Sequence, residues 1–503
     1  MDLKPISIRN VIVRTLLLGL FLLALRFSYL VAIAGKSCSL SDFCFFDISS
    51  PSSISAASFS AVPVDGSAPK TPRQSKEWIS AVRFYSSVFR DLISDAFLSP
   101  RSKSLCVDTA SGDDVFALRE IGVKNALGIY RKAALPLVKS GLPHRIPFGP
   151  DTFDFVFIGR GRFDEFPRPL DVVAEIERVT KPRGHVVFHV KANDSYSFNS
   201  FMELFDKCVL LRMHDVDGFQ NHMPRVREIV LQKESDVAIH RHLVRKDKGG
   251  AARKCIVPEY KQKLVVHAEP LIEEEPLKPW ITLKRNLNNI KYLPSIVDIS
   301  FRNRYVYVDV GARGYGSSIG SWFRKQYPKQ NRTFQVYAIE ADKSFYPEYK
   351  IKKAVTLLPY AAWVKNETLS FEINRDPDSK LEGKGRGMGR IQPGQAAVGN
   401  GEDKEVVKIR GFDFADWLKS TVSPVDYVVM KMDVEGTEFD LIPRLFETGA
   451  ICLIDEMFLE CHYNRWQRCC PGQRSSKYDK TYGQCLELFR SLRQSGVLVH
   501  QWW

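Results

Sequence analysis

The stretch YVYVDVGARGYGSSIG, residues 305–320, decides the fold. An apolar run rich in Val and Tyr includes Asp309 near its end, and a glycine-rich turn follows at once. This pattern predicts a buried strand that leads into a tight turn. Gly311, Gly314 and Gly316 carry no Cβ, so the backbone there can approach a ligand closely. The next helix offers unpaired N–H groups at its start, which suits a polar or anionic ligand.

A second apolar run, QVYAIEAD at residues 335–342, strengthens this interpretation. It carries Glu340, about thirty residues after Asp309, which is the spacing of a βαβ unit with a ribose-binding acid on its second strand. A carboxylate has two acceptor oxygens and therefore suits paired ribose hydroxyls. The two runs together predict a nucleoside site at the carboxyl ends of parallel strands.

Composition bounds the class of protein. The chain has 503 residues, which favours two domains rather than one core. Its 44% hydrophobic and 26% charged residues are typical of a globular protein. The net charge of +14 would suit an anionic partner, yet no compact Lys/Arg stripe is interleaved with aromatic residues. We therefore interpret the charge as solvated basic faces and predict no nucleic-acid binding.

The amino-terminal segment predicts a membrane anchor. Residues 11–34 form a mainly apolar stretch, long enough to span a bilayer, with Arg26 as an interior charge. Lys4, Arg9 and Arg14 lie at its amino end, which predicts a cytosolic N-terminus and a lumenal body. Ala32-Ile33-Ala34 also fits a cleavage site, so a cleaved signal peptide remains an alternative. Both alternatives place the body in the secretory pathway.

Two further features agree with a lumenal body. Glycosylation sequons begin at Asn193, Asn331 and Asn366. Of the ten cysteines, several are crowded near the C-terminus: Cys461, Cys469, Cys470 and Cys485. In an oxidising compartment such cysteines are expected to form disulfides. No paired C-x-x-C spacing accompanies them, so no metal site is predicted.

Shifts in composition divide the chain into five parts. The predicted parts are a cytosolic tail with a transmembrane signal anchor (1–36), a flexible stem (37–76), a first globular block (77–235), a charged connector (236–279) and a second globular block (280–503). Each block alternates strand-like and helical runs. The predicted fold class is therefore α/β, with two Rossmann-like, doubly wound domains after an N-terminal transmembrane helix. Residues 382–403 are Gly-rich and polar, which predicts a long loop that is either a lid or a disordered insertion.

Most of residues 300–465 resembles the FkbM family of class I S-adenosylmethionine-dependent methyltransferases. VDVGARGYGSS (308–318) is similar to that family's first motif, IEAD (339–342) to its second, and KMDVEGTE (431–438) to its signature Lys-x-Asp-x-Glu-Gly-x-Glu. Arg313 departs from the pattern, since the family usually carries Asn there. The resemblance implies S-adenosyl-L-methionine as cofactor and Trp363 as a stacking face beside the adenine. The implied cofactor-binding residues are Asp309, Gly311, Ala312, Gly314, Gly316, Glu340, Ala362 and Asp433.

Methyl transfer to an oxygen also requires positioning of the acceptor and, usually, a base. Asp433, Glu435 and His462 are the predicted catalytic residues, and His462 is expected to be able to be neutral near pH 7. Each has a structural alternative, because carboxylates at strand ends often cap helices and a lone histidine is often part of a core.

The first block resembles the wider small-molecule methyltransferase superfamily over residues 103–192. Its turn, VDTASGDD at 107–114, keeps Asp108 and Gly112 but has Ala110 where the family's first glycine belongs. Its second strand ends at Tyr130 rather than at an acid. We therefore expect a structural or substrate-positioning domain that has lost its ribose-binding group.

The whole arrangement resembles plant membrane-anchored methyltransferase-like proteins, which implies the endomembrane system, specifically the Golgi membrane, as a single-pass type II protein. The expected function is O-methylation of a glycan or related small-molecule acceptor in the lumen. A non-catalytic, membrane-tethered scaffold is the alternative. Oligomeric state and acceptor identity stay open.

Overall fold

The computed structural model describes residues 19, 75–220, 223–235, 257–328, 331–375, 386–392, 404–467 and 472–502. All of the predicted anchor except Gly19 lies outside the described residues, as do nearly all of the predicted stem and part of the connector. Within the described ranges, no helix combines the length and apolar character needed to cross a bilayer. The chain from Pro69 onward groups into one compact unit.

The first block folds around a mixed sheet whose order is β3-β2-β1-β4-β5-β7-β6. β7 runs antiparallel to both of its neighbours, and the other described neighbours pair in parallel. The strands are β1 (Ser104–Val107), β2 (Ala126–Tyr130), β3 (Val138–Ser140), β4 (Phe153–Ile158), β5 (Thr180–Val190), β6 (Cys208–Gln220) and β7 (Met223–Lys233). The helices are Lys76–Ser94, Asp113–Glu120, Pro169–Val179 and Ser195–Met202, with a short 3₁₀ turn at Phe163–Glu165.

The helix Lys76–Ser94 shows why this block packs as it does. The side chain of Ser75 accepts a hydrogen bond from the Trp78 N–H and so caps the first turn. Tyr85, Phe89 and Leu92 recur at helical spacing and are fully buried in a core shared with β1 and β4. The apolar stripe therefore fixes which face of the helix meets the sheet.

The second block contains a parallel sheet of order β10-β9-β8-β15-β16-β17. Numbered within the sheet, this is the 3-2-1-4-5-6 order of a doubly wound fold. Its strands are β8 (Tyr305–Val310), β9 (Phe334–Ile339), β10 (Val355–Leu358), β15 (Tyr427–Met432), β16 (Glu456–Leu459) and β17 (Leu498–Gln501). β8 and β15 are buried along their whole lengths, as continuous apolar runs in a covered parallel sheet should be.

Helices cover this sheet. They are Glu259–Gln262, Pro279–Asn286, Leu293–Ile296, Arg324–Gln326, Tyr346–Lys350, Phe414–Thr421, Glu438–Thr448 and Tyr482–Gln494. Shorter 3₁₀ or π turns are Lys263–His267, Leu287–Asn289, Ile319–Phe323, Lys343–Phe345 and Ala450–Leu453. The predicted α/β class with parallel sheets is confirmed.

A small sheet of order β11-β14-β12-β13 lies between β10 and β15 in the sequence. Its strands are β11 (Ala361–Trp363), β12 (Glu367–Arg375), β13 (Arg386–Gln392) and β14 (Lys404–Asp413). β13 falls inside the stretch predicted as a long loop, so that prediction was wrong for these residues; the rest of that stretch lies outside the described residues. The glycine pattern misled because a Cβ on Gly389 would come within 2.1 Å of the Phe371 ring, so this glycine makes room for strand packing.

Buried polar contacts join elements of the two blocks. The Arg302 guanidinium is inaccessible to solvent and donates to the Tyr196 hydroxyl at 3.1 Å and to Glu203 at 2.9 Å. Tyr196 donates in turn to Asp455 at 2.8 Å, next to β16. These charges are paired and hydrogen-bonded, as burial requires. Near the C-terminus, the expected disulfide chemistry is present as a Cys461–Cys485 bridge; Cys469 and Cys470 lie outside the described residues.

Candidate functional site

The turn after β8 is anchored to the neighbouring strand. The N–H groups of Gly311 and Ala312 both donate to the carbonyl oxygen of Ile339, each at 3.0 Å. Gly311 adopts φ +79°, and a Cβ there would lie 1.8 Å from the carbonyl oxygen of Asp433. A glycine is therefore required, but because of the chain's own backbone rather than for the approach of a ligand.

The other turn residues predicted to bind cofactor have different surroundings. Ala312 is fully buried in the core, and a Cβ on Gly314 would lie 2.8 Å from a carboxylate oxygen of Glu348. Gly316 has open space around it. The two cavities described below are lined at this turn by Gly311 and Arg313, so the structure does not bring Ala312, Gly314 or Gly316 to either lining.

Asp309 is fully buried beneath the turn. Its Oδ2 accepts hydrogen bonds from the hydroxyls of Ser318 and, at 3.3 Å, Tyr307. Burial raises the pKa of Asp309, an effect that the nearby Lys431 ammonium opposes. Asp309 lines neither cavity, so the structure does not bring this predicted cofactor-binding residue to either one; its contacts hold the turn instead.

Glu340 and Ala362 line what we call the inner cavity, at the carboxyl ends of β8 and β9. Glu340 is only 7% exposed. One carboxylate oxygen accepts from the Arg313 N–H and the other from the Asp342 N–H, both at 2.6 Å. Burial raises the pKa of Glu340 to about 7, against the effect of these two backbone donors. Each oxygen has a second lone pair, so the carboxylate can still accept from a ligand.

The aromatic wall of the inner cavity consists of Phe345, Tyr360 and Phe371. Tyr360 lies within residues 358–363, which the resemblance implies as the adenine-side wall, whereas Phe345 and Phe371 were not predicted from the sequence. Trp363, the expected stacking residue, lies next to Ala362 on the same strand, and its indole N–H donates to Glu367 at 2.6 Å. Trp363 is not among the residues that line the inner cavity, so the structure does not bring the expected stacking residue to it.

The predicted signature run places three acidic side chains around His462. β15 ends at Met432, and Glu435 has φ +53°, so the alternation of a regular strand no longer separates Asp433 from Glu435. The Nε2 atom of His462 lies 3.6 Å from Asp433 and 3.9 Å from Glu435. Thus the structure brings together all three residues predicted to be catalytic.

Glu438, the last acid of the signature run, fixes the imidazole. Its Oε1 accepts from the His462 backbone N–H at 2.5 Å and lies 3.2 Å from His462 Nδ1. Burial alone would lower the pKa of His462, but the carboxylates of Glu438, Glu435 and Glu460 outweigh it and raise that pKa to about 10. Surrounded by these carboxylates, His462 carries a proton at neutral pH, and its ability to be neutral near pH 7 stays a prediction.

Nearby charges shift the pKa values of Asp433 and Glu460 in opposite directions. Burial raises the pKa of Asp433, but the Lys431 ammonium, 3.3 Å from its Oδ2, and His462 lower it to a value below the ordinary one. Burial raises the pKa of Glu460 to about 8, helped by the negative charge of Asp433. At neutral pH Asp433 is thus the ionised member of this pair. Glu460 was not among the predicted catalytic residues, although it lies two positions before His462.

A second, outer cavity of about 880 Å³ opens on the other side of Asp433. Its size falls within the range of small-molecule sites. Gly311, Arg313 and Asp433 line both cavities, so the two meet at the ends of β8 and β15. The outer lining is strongly aromatic and includes Trp322, Tyr463, Trp466, Tyr478 and Trp502.

A family model described as "Domain of unknown function (DUF7870)" matches residues 266–370 and 395–503. The unmatched stretch between them contains β13, which contributes Gly389, Arg390 and Ile391 to the inner cavity. A search of curated proteins finds no significant match.

Solved structures similar to this chain include an S-adenosylmethionine-dependent methyltransferase from Aquifex aeolicus, with 17% identity over 28% of this chain and 88% of that one and a TM-score of 0.23. Another is a 1,6-didemethyltoxoflavin-N1-methyltransferase from Burkholderia thailandensis with bound S-adenosylhomocysteine, with 13% identity over 31% and 79% of the two chains and a TM-score of 0.26. Both TM-scores are low, and the doubly wound fold is established by the strand order and register of this chain.

Proposed function

We propose that the second block is an S-adenosylmethionine-dependent methyltransferase. The observation that carries this proposal is the position of Glu340: a buried carboxylate at the tip of β9 that lines a cavity which shares Gly311 and Asp433 with a larger one. In a doubly wound sheet this is where a nucleoside binds. The resemblance of the motifs to those of FkbM-type enzymes points to the same cofactor.

The types of side chain that line the inner cavity suit the adenosine of S-adenosylmethionine, and the cavity, at about 90 Å³, must widen to admit it. Glu340 retains acceptor capacity for the ribose hydroxyls, and Phe345, Tyr360 and Phe371 offer apolar faces for the adenine. The remainder of the cofactor would extend toward Gly311, where the inner and outer cavities meet. When bound there, S-adenosylmethionine supplies an electrophilic methyl group to an acceptor in the outer cavity.

The carboxylates at this junction provide the proton acceptor. On transfer, the O–H bond of the acceptor breaks and its proton moves to a carboxylate, while an O–C bond forms as the methyl–sulfur bond breaks. Asp433 is ionised and lines both cavities, and Glu435 lines the inner one beside it. The protonated His462 stays as a fixed positive charge that orients both carboxylates.

We assign the acceptor to glycans or related hydroxylated metabolites and the reaction to O-methylation. The aromatic side chains of the outer cavity present apolar faces that suit the C–H faces of a sugar ring, and its volume of about 880 Å³ accommodates one or more rings. An oxygen acceptor agrees with the carboxylates at the junction, which can take the proton of a hydroxyl.

We further propose a single-pass Golgi membrane location with the body in the lumen. Support comes from the apolar segment at 11–34, from the sequons and from the Cys461–Cys485 disulfide, since structural disulfides persist in oxidising compartments. Protease treatment of sealed vesicles that contain C-terminally tagged protein tests this. The tag should resist digestion until detergent is added, and digestion without detergent would contradict a lumenal body.

Methyl transfer is tested with the purified full chain, S-adenosylmethionine labelled on its methyl group and a panel of endomembrane glycans. Label should enter an acceptor as an O-methyl group, and Asp433→Asn should lower the rate about 100-fold, in the range typical of a lost acid–base group. Asp416→Asn, at an exposed site on the helix Phe414–Thr421, is the matched control and should leave the rate unchanged. Transfer that survives Asp433→Asn would contradict the assigned junction.

A further inference from the structure

Three side chains from two strand ends converge where the outer cavity meets the sheet. Asp433 follows β15, and Glu460 and His462 follow the neighbouring strand β16. One ligand-type atom from each lies within 4.8 Å of the others. His462 Nε2 is 3.6 Å from Asp433 Oδ1 and 3.7 Å from Glu460 Oε1. The pairing of β15 with β16 thus brings nitrogen and oxygen ligand atoms together, and the spacing of these residues in the sequence does not predict it.

These separations are too long for hydrogen bonds. They approach the distances between neighbouring ligands of one cation, because metal–ligand bonds of about 2.0–2.6 Å place adjacent donor atoms roughly 3–3.7 Å apart. Within the described residues, His462 Nε2 makes no hydrogen bond, although the histidine is only 7% exposed. Its side chain is therefore nine-tenths buried and aimed at carboxylates that it does not hydrogen-bond.

The other ring nitrogen of His462 is oriented as in a metal-binding histidine. Nδ1 lies 3.2 Å from Oε1 of Glu438, a residue with no solvent exposure. Ligating histidines usually donate their second N–H to a carboxylate, which fixes the tautomer and turns the free nitrogen toward the ion. Here the same contact turns Nε2 toward Asp433 and Glu460.

Glu435 provides an independent sign of a missing partner. It is 8% exposed, and its Oε1 is buried without a hydrogen-bond partner among the described residues. Its other oxygen, Oε2, is held by Lys477 at 2.6 Å and by the Tyr478 hydroxyl, and lies 3.9 Å from His462 Nε2. An unpaired buried carboxylate oxygen is costly unless a cation or a ligand proton reaches it.

Lys431 limits where an ion can lie. Its ammonium is 3.3 Å from Oδ2 of Asp433, which leaves Oδ1 as the oxygen toward His462. Asp433 and Glu460 keep 23% and 21% side-chain exposure, so an ion could enter from the outer cavity. One imidazole with carboxylates, and no thiolate among the ligand atoms, suits Mn²⁺ or another borderline first-row divalent cation.

We propose that Asp433, Glu460 and His462 bind a divalent cation, with Mn²⁺ as the best fit, on the floor of the outer cavity. This deepens and rests on the proposed methyltransferase function, because the cation would hold the acceptor oxygen at the junction of the two cavities. A cation there lowers the pKa of a bound hydroxyl. As the cation binds, the proton on His462 Nε2 leaves to solvent and Asp433 acts as a ligand, so Glu435, which lines the inner cavity beside Asp433, becomes the acceptor of the hydroxyl proton.

The test is direct titration of the full chain with MnCl₂ after removal of metals by EDTA and desalting, with free Mn²⁺ measured by electron paramagnetic resonance. One equivalent should bind. His462→Gln and Glu460→Gln should each weaken binding at least tenfold, the effect typical of losing a ligand or its support. His214→Gln alters a histidine that is also near a carboxylate, 3.7 Å from Glu228, and should change nothing.

The two variants together distinguish loss of a ligand from misfolding. Glu460 is more exposed than His462, and Glu460→Gln replaces the carboxylate by an amide of the same shape, so this variant is expected to fold. Absence of stoichiometric Mn²⁺ binding, or equal binding by the protein and both site variants, overturns the metal site. A separate titration with S-adenosylmethionine in EDTA isolates the proposed function. Cofactor binding without Mn²⁺ binding leaves the methyltransferase proposal and rejects the cation; Mn²⁺ binding without cofactor binding rejects the role given to the cation in methyl transfer.

Discussion

The turns after β1 and β8 follow similarly placed strands, but their backbone conformations differ. β1 lies between β2 and β4, β8 lies between β9 and β15, and all of these pairs are parallel. After β8, Gly311 and Arg313 have positive φ, and Gly311 packs on the backbone of Asp433. After β1, Ala110 occupies the place that corresponds to Gly311, and positive φ occurs at Asp108 and Gly112 instead, at +60° and +70°. The buried strands are alike, whereas the turns that follow them are not.

The space in front of the two turns also differs. In the first block, the Arg160 guanidinium donates to the Ser111 hydroxyl at 2.7 Å and pairs with Asp113 at 2.7 Å. In the second block the corresponding region lies at Asp433, where two cavities meet. β2 ends at Tyr130, whereas β9 leads into the carboxylate of Glu340. The comparison teaches that the apolar pattern preserves the fold, while a few residues at the strand tips decide whether it can hold a ligand.

Among the variants that test this comparison, we expect Gly311→Ala to have the largest effect, a loss of stability. Positive φ and a contact of 1.8 Å with backbone that cannot move aside should lower the free energy of unfolding by about 3 kcal/mol. Gly316→Ala is the control, because nothing lies within 4 Å of its added Cβ, and it should stay within about 0.5 kcal/mol of the parent. Denaturant unfolding followed by fluorescence measures both; equal midpoints would contradict the packing described for Gly311.

Glu340→Ala removes the group that Tyr130 replaces in the first block. Loss of charge-assisted hydrogen bonds to the ribose should weaken S-adenosylmethionine binding roughly 100-fold, measured by calorimetry. Asp108→Ala, at a half-buried carboxylate of the first block, should leave the affinity unchanged. Weakening by the first-block variant, with none from Glu340→Ala, would reverse the assignment of the two blocks.

Arg160→Ala tests the idea that the first turn is closed by its own side chains. Asp113, with 3% side-chain exposure, would lose its cationic partner, and stability should fall by about 2 kcal/mol. Cofactor affinity should not change, because no residue of the inner cavity is touched. Circular dichroism during urea unfolding, with calorimetry on the same sample, separates the two effects. A gain of a second binding event would show that Arg160 had blocked a working site.

The pH dependence of cofactor binding gives a smaller effect. The pKa of Glu340 is raised to about 7, so the acceptor-only carboxylate is present above that pH and is lost as the pH falls through it. Affinity for S-adenosylmethionine should therefore be about tenfold weaker at pH 5.5 than at pH 8. Glu340→Gln should bind weakly with a flatter profile. A parent profile that is flat over this range would mean that the ionisation of Glu340 does not matter to the ligand.

Much of this comparison could be predicted from strand patterns. Continuous apolar runs identified β8 and β9, and the spacing of Asp309 and Glu340 placed an acid at each strand end. The sequence did not show that Asp309 would be sealed under the turn. That outcome depends on Ser318 and Lys431, which reach it from a turn and from a neighbouring strand.

The features that were missed depend on contacts between distant parts of the chain. The glycines of β13 predict a loop, because glycine increases backbone flexibility, whereas in the structure Gly389 makes room for the ring of Phe371. The charge of His462 depends on carboxylates that follow β15 and β16, so only the parallel pairing of those strands brings them together. The local sequence pattern predicts where strands end, but the charges that surround a side chain at a strand end depend on the tertiary structure.

The central claim is that the second block alone of the two holds the methyl donor. Native mass spectrometry of the full chain with S-adenosylhomocysteine tests it most directly. We expect one ligand per chain, lost in Glu340→Ala and retained in Asp108→Ala. Two ligands per chain, or one that survives Glu340→Ala, would contradict the account.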